Sequence, residues 1–168
     1  MRATRHDRMI VTAVITGRRG ARTLRRAIIG PMGLERADVA ARYARYLACC
    51  NERRFDQLGE FVDEHVSGSG SVDGLAAYVE RVKAVCTGFP DYHWELQELV
   101  IEENTIAARL IGRGMHTGFF NGIAPTGRKI TIQELVIYRI ADGKIIQCWG
   151  DLDPVVRDAV TTSTHVAA

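Results

Sequence analysis

Two carboxylates and a histidine stand in this chain where proton-transfer chemistry is possible. Glu134 lies between Ile132 and Val136, and strand alternation sets all three on one face. A carboxylate on a buried face is costly unless it is paired or in use. Desolvation there lifts its pKa toward neutrality, where it can take a proton and return it. A structural pair with an arginine, or a strand edge facing water, would account for it equally well. Asp151 follows Gly150. Regular alternation turns it away from the side of Gly150, although an interior glycine often marks a bulge that reverses the phase. His116 titrates near neutrality and suits either a proton relay or a hydrogen bond that fixes its own loop. Arg109 and Arg113 share a strand face, where they could clamp a carboxylate, pair with Glu134 or meet solvent.

Other chemistries find little support. No G-x-S-x-G elbow and no dinucleotide fingerprint occur. The stretch Gly122–Lys129 resembles a phosphate-cradling loop only briefly, since Arg128 fills the lysine slot and a strand follows. The five histidines are scattered without an i,i+4 pair, so no metal is expected. Cysteines 49, 50, 86 and 148 have neither zinc spacing nor the density of a secreted disulfide scaffold, which favours a reducing cytoplasm.

The elements that must carry these residues follow from periodicity. Val39, Tyr43, Tyr46, Leu47 and Cys50 recur at helical spacing over 37–50, with Asp38 able to pair with Arg42 and Asn51 as a C-terminal cap. A short helix fits 55–62, and a glycine-serine loop spans 67–71. A third helix, capped by Asp73, carries the stripe Leu75, Tyr78, Val79, Val82 and Cys86. The period then becomes two. Strands are expected over 93–101, with Trp94, Leu96, Glu98 and Val100 on one face, then over 105–115, 130–140 and 144–152. Asp142-Gly143 makes a hairpin, and Pro154 stops the last strand. Helices followed by antiparallel strands describe an α+β domain with helices on one face of a curved sheet.

The chain has 168 residues and a formal charge of +2. Residues 1–36 hold nine arginines against Asp7 and Glu35, or +7, while the remainder is −5. The basic lead, 1–33, therefore reads as an extension to a domain over 34–160, with 161–168 as a tail. The acidic body offers no basic stripe for nucleic acid. The early apolar run of residues 9–15 is too short to span a bilayer.

Phe89-Pro90-Asp91, Gly114-Met115-His116-Thr117-Gly118, Gly122 to Arg128, Tyr138-Arg139, Asp142-Gly143-Lys144-Ile145, Trp149 and Asp153 occur in that order. This ordered set resembles the SnoaL-like polyketide cyclase or ester cyclase family, within the nuclear transport factor 2-like superfamily. The resemblance implies a cone-shaped α+β barrel, its pocket lying between a mostly antiparallel curved sheet and about three helices. It implies a homodimer through the outer sheet face. It also implies ring closure on a hydrophobic polyketide-like substrate by acid/base catalysis, without metal or organic cofactor. Such cyclases tend to place an acid directly after the position of Trp149, where this chain has Gly150. They can carry a supporting histidine where this chain has Val136. Glu134, and Asp151 if Gly150 bulges, are the substitutes, with His116 beside them. The resemblance also puts His65 at the cavity, and Asp153 matches a recurrent acid, although it could equally cap the strand end. Tyr43, Tyr46, Trp94, Tyr138 and Trp149 would supply aromatic walls, with Arg109 as a clamp. Two alternatives stay open: epoxide opening by an Asp/Arg/Glu set, and a non-catalytic ligand-binding or dimerisation module.

Overall fold

The computed structural model describes residues 36–68 and 73–162. The expected basic extension over 1–33 lies outside them, as do most of the glycine-serine loop and of the C-terminal tail.

Helix α1 (Arg36–Asn51) buries Val39, Tyr43, Tyr46, Leu47 and Cys50, the stripe expected from their spacing. Its C-terminus is closed by Arg53 and not by Asn51. Arg53 takes a left-handed φ of 60° and donates to the carbonyls of Cys50 and Asn51, both at 3.1 Å. Arg42 leaves Asp38 aside; it donates to the Glu60 carbonyl and lies 5.5 Å over the Phe61 ring. The expected second helix is a 3-10 turn (Phe55–Glu60), after which the chain enters strand β1 (Val62–Gly68). Helix α2 (Gly74–Gly88) buries Tyr78 and Val85.

Strands β2 (His93–Glu102), β3 (Thr105–Met115), β4 (Lys129–Ala141) and β5 (Lys144–Gly150) complete one sheet in the order β1-β5-β4-β3-β2. β1 pairs parallel to β5, and every other pair is antiparallel. The Asp142-Gly143 hairpin forms as expected, with φ of 48° and 75°, the left-handed pair that suits right-twisted strands. Along β4 the alternation is unbroken, so Ile130, Glu134, Val136 and Tyr138 are buried while Leu135 and Ile137 are exposed. β2 departs from the expected face. The register shifts between Leu96 and Glu98, so Trp94 and Leu99 are buried while Glu98 and Val100 lie on the outer surface.

Two further corrections concern ends. The last strand stops at Gly150, and a helix α3 (Leu152–Thr161) follows. Pro154 falls in its first turn, where the missing N–H breaks no helical hydrogen bond. Helix α3 turns Val156 and Val160 inward. The fold is thus α+β, a mixed curved sheet with helices packed over its inner face.

Candidate active site

A cavity enclosing ≈ 630 Å³ of empty space, its open mouth included, lies between the helices and the inner sheet face. Its helical wall is Tyr46, Leu47 and Cys50 from α1 with Tyr78, Arg81 and Val82 from α2. Its sheet wall is Trp94, Leu110, Glu134, Val136, Tyr138, Cys148 and Gly150, and α3 adds Leu152 and Asp153.

Glu134 is the buried acid of this cavity, 6% exposed. Its Oε2 accepts a 3.2 Å hydrogen bond from the Trp94 indole Nε1. Burial pushes its pKa up to about 7, and the charge of Asp151 adds to the rise; the Trp94 hydrogen bond and Arg81 oppose it. The carboxyl therefore exchanges its proton around neutrality, the condition a general base or acid needs.

Trp94 is held from behind. The Asn51 side chain grips its backbone at both ends, donating to the Trp94 carbonyl and accepting from its N–H, each at 2.9 Å. The Tyr92 ring meets the indole edge-on at 4.6 Å between centroids. Tyr92 fits there because β3 has glycine opposite it: a Cβ on Gly112 would stand 1.8 Å from the Tyr92 hydroxyl oxygen. So Asn51, Tyr92 and Gly112 fix the indole, and the indole orients the carboxylate.

Arg81 and Asp153 form an ion pair at 3.0 Å in the cavity wall, with the guanidinium about a quarter exposed. Across from the sheet, the hydroxyls of Tyr46 and Tyr78 meet at 2.5 Å. Burial pushes the Cys50 and Cys148 thiols up to about 12. They stay protonated at neutral pH, which disfavours them as nucleophiles.

Of the residues expected at the site, Glu134, Tyr46, Trp94, Tyr138 and Asp153 meet in the cavity. Tyr43 backs it and lines a smaller neighbouring cleft with Arg42 and Phe61. The others lie elsewhere. Gly150 does not bulge: Trp149 pairs with Ile137 and Gly150 with Val136 in unbroken register. Trp149 consequently points outward, 41% exposed. Asp151 leaves the strand as the N-terminal residue of α3, and its Oδ1 accepts from the Leu135 N–H at 3.0 Å. His116 is buried in the loop after β3, stacked on Phe89 at 4.8 Å and paired through Nδ1 with Thr126 Oγ1 at 3.0 Å. Its loop-fixing reading fits, and it does not line the cavity. His65 is exposed beside Glu64, because the β1–β5 register shifts between Val62 and Ser67. Arg109 lies on the outer face, paired with Glu98 at 3.2 Å.

Sequence reasoning missed Arg81 as a site residue and read Tyr78 only as core. Tyr78, Arg81 and Val82 stand at i, i+3 and i+4, so an arginine inside an apolar helical stripe was the available signal. Among the described residues no three His, Cys, Asp or Glu side chains gather as metal ligands, and no helix is long and apolar enough to cross a membrane.

The family model for SnoaL-like polyketide cyclases matches residues 40–156. Comparison with curated proteins found no match. Among solved structures, the chain is similar to a SnoaL-like polyketide cyclase from Agrobacterium tumefaciens, at 30% identity over 67% of this chain and 89% of that one, with a TM-score of 0.62. It is also similar in fold to TsrD from Streptomyces laurentii, at 23% identity over 77% and 98% of the two chains and a TM-score of 0.69. IdmH from Streptomyces antibioticus shares 21% identity over 71% and 96%, with a TM-score of 0.59.

Proposed function

Because the chain belongs to the SnoaL-like polyketide cyclase family, we propose that it closes a ring on a polyketide-like substrate with Glu134 as general base and acid. The observation that carries this reading is a carboxyl buried in an apolar cavity and balanced near neutrality. Gly150, at the position where related cyclases tend to carry their acid, borders the same cavity without a side chain. It pairs with Val136, two residues from Glu134, so Glu134 reaches that space from the adjacent strand.

In this mechanism the Glu134 carboxylate takes a proton from the carbon beside a carbonyl. The C–H electron pair passes into an enolate, whose carbon attacks a second carbonyl of the same molecule. The new alkoxide takes the proton back from Glu134, and the net reaction is an isomerisation. Holding both ends of one chain in a single cavity supplies much of the rate. The protein works in the cytoplasm as a homodimer. The apolar outer face of Val100, Leu135, Ile137 and Trp149, between 41% and 51% exposed, supports pairing with a second copy.

A substrate-independent assay tests the base: deuterium exchange at the acidic carbon of β-diketones and β-keto esters, followed by NMR. The exchange rate is expected to rise with pH to a plateau, with its midpoint near 7. Glu134→Gln should lower it by about 10²- to 10⁴-fold. Exchange unchanged in that variant would remove Glu134 from the mechanism.

One observation favours epoxide opening as a second reading. Arg81 is paired with Asp153 and its charge also acts on Glu134, which resembles an arginine shared by two carboxylates. Turnover of aliphatic epoxides, lost in both Asp153→Asn and Glu134→Gln, would select that reading. A non-catalytic module, by contrast, leaves the buried Glu134 carboxyl without a purpose.

A further inference from the structure

The Tyr46–Tyr78 hydroxyl pair plays no part in the proton transfer assigned to Glu134. We propose that it forms the oxyanion subsite of the cavity, receiving the substrate's carbonyl oxygen and holding the negative charge that gathers there as the neighbouring C–H proton leaves. This role rests on the ring-closing reading, which supplies the base.

Each phenol carries one donor hydrogen. The 2.5 Å contact between the two oxygens consumes one of them, and the hydroxyl that accepts there keeps its own hydrogen for another acceptor. Both side chains are buried in the cavity wall, at 6% and 5% exposure. Around the pair stand the Cys50 thiol against Tyr46, the Cys148 thiol against Tyr78, and the Tyr43 and Tyr138 hydroxyls; thiols are weak acceptors and the hydroxyls are uncharged. An oxyanion is a stronger acceptor than any of these neutral groups, so it draws the remaining donor when substrate occupies the cavity. A hydroxyl that accepts one hydrogen bond donates its own more strongly, so the pair acts as a polarised donor. Burial raises both phenol pKa values, which keeps both hydrogens in place. The two tyrosines come from separate helices, α1 and α2, and are fixed before any substrate arrives, as electrostatic stabilisation requires. Glu134 reaches the same cavity from the sheet side. The matching substrate is a ketone or β-dicarbonyl whose oxygen faces the helices and whose acidic C–H faces the sheet.

Substituted phenols from 4-methylphenol to 4-nitrophenol, similar in size and rising in acidity, probe the subsite by calorimetric titration. Affinity in the unmodified protein is expected to rise with phenol acidity. Tyr46→Phe and Tyr78→Phe should each weaken binding of 4-nitrophenol roughly 10- to 100-fold, the range of a hydrogen bond to a charged group, and leave toluene binding unchanged. Both variants keep the ring, and circular dichroism verifies folding. If one fails to fold, the other carries the test, since each removes half of the pair. A flat phenol series, or a series unchanged in the Phe variants, overturns the proposal. Glu134→Gln should retain the phenol dependence while losing exchange. Retained exchange in Glu134→Gln, with the phenol dependence lost only in the tyrosine variants, would reject the base and keep the subsite.

Discussion

Replacing Glu134 by Gln should stabilise the protein in a pH-dependent manner, and the size of the effect follows from the site. Unfolding returns the carboxyl to water and to its ordinary value of 4.5, against about 7 in the fold. The native state therefore binds more protons than the unfolded state between those values, and stability falls as pH rises through that window. At about 1.4 kcal/mol for each tenfold change in proton concentration, the full loss comes to about 3 kcal/mol above pH 7. Glutamine keeps the shape and can still accept from the Trp94 indole, but it has no charge to desolvate. The variant should match the parent near pH 4 and exceed it by about 3 kcal/mol at pH 8, or roughly 10 °C in melting temperature. Urea unfolding of both proteins from pH 4 to pH 9 measures the difference directly, since titrations common to both cancel. A difference that does not vary with pH would mean that Glu134 is not held against its charge, and the acid/base argument would fail with it.

Three further outcomes follow from the same geometry. Removing the positive charge with Arg81→Gln takes away a group that holds the Glu134 pKa down, so the midpoint of the exchange–pH profile should move upward; a downward or absent shift contradicts the electrostatic account. Gly112→Ala would drive a methyl into the Tyr92 hydroxyl, costing about 1–3 kcal/mol by overpacking and slowing exchange as the Trp94 indole moves, which thermal melts and the NMR assay check together. Ile137→Lys or Trp149→Glu puts a charge on the outer face, twice in the proposed symmetric dimer; sedimentation should show monomers with unchanged melting of the fold, and dimers of unaltered strength would locate the interface elsewhere.

Where strand parity ran without interruption, the sequence was enough. Glu134 could be placed beside Val136 because no irregularity separates the two residues, and α1 could be placed from its five apolar side chains. Parity failed at Glu98 because the extra residue near Gln97 is set by pairing with β3, a distant partner. The same holds for His65, whose strand exists only through its parallel pairing with β5. Two buried valines, Val62 and Val66, are too weak a pattern to announce it. Pro154 misled because proline stops a strand and opens a helix with equal ease. The contact between Tyr46 and Tyr78, 32 residues apart, left no mark, since each tyrosine also satisfies the apolar stripe of its own helix. What joins distant segments was invisible; what repeats within one segment was plain.

The Asp151 carboxylate, bonded to the Leu135 N–H, bears on how this cavity can diversify. That bond pins the start of α3 to the strand next to Glu134, while the helix itself contributes Leu152 and Asp153 to the cavity. Glu134 and this part of the cavity wall thus belong to separate stretches of chain, tied together where the helix begins by that one carboxylate. Leu152 can change and reshape what the cavity admits, whereas Asp151 and Asp153 at the start of the same helix help to raise the Glu134 pKa. Under the proposed ring-closing reading, apolar changes at Leu152 alter which substrates fit while the groups that set the Glu134 pKa stay in place.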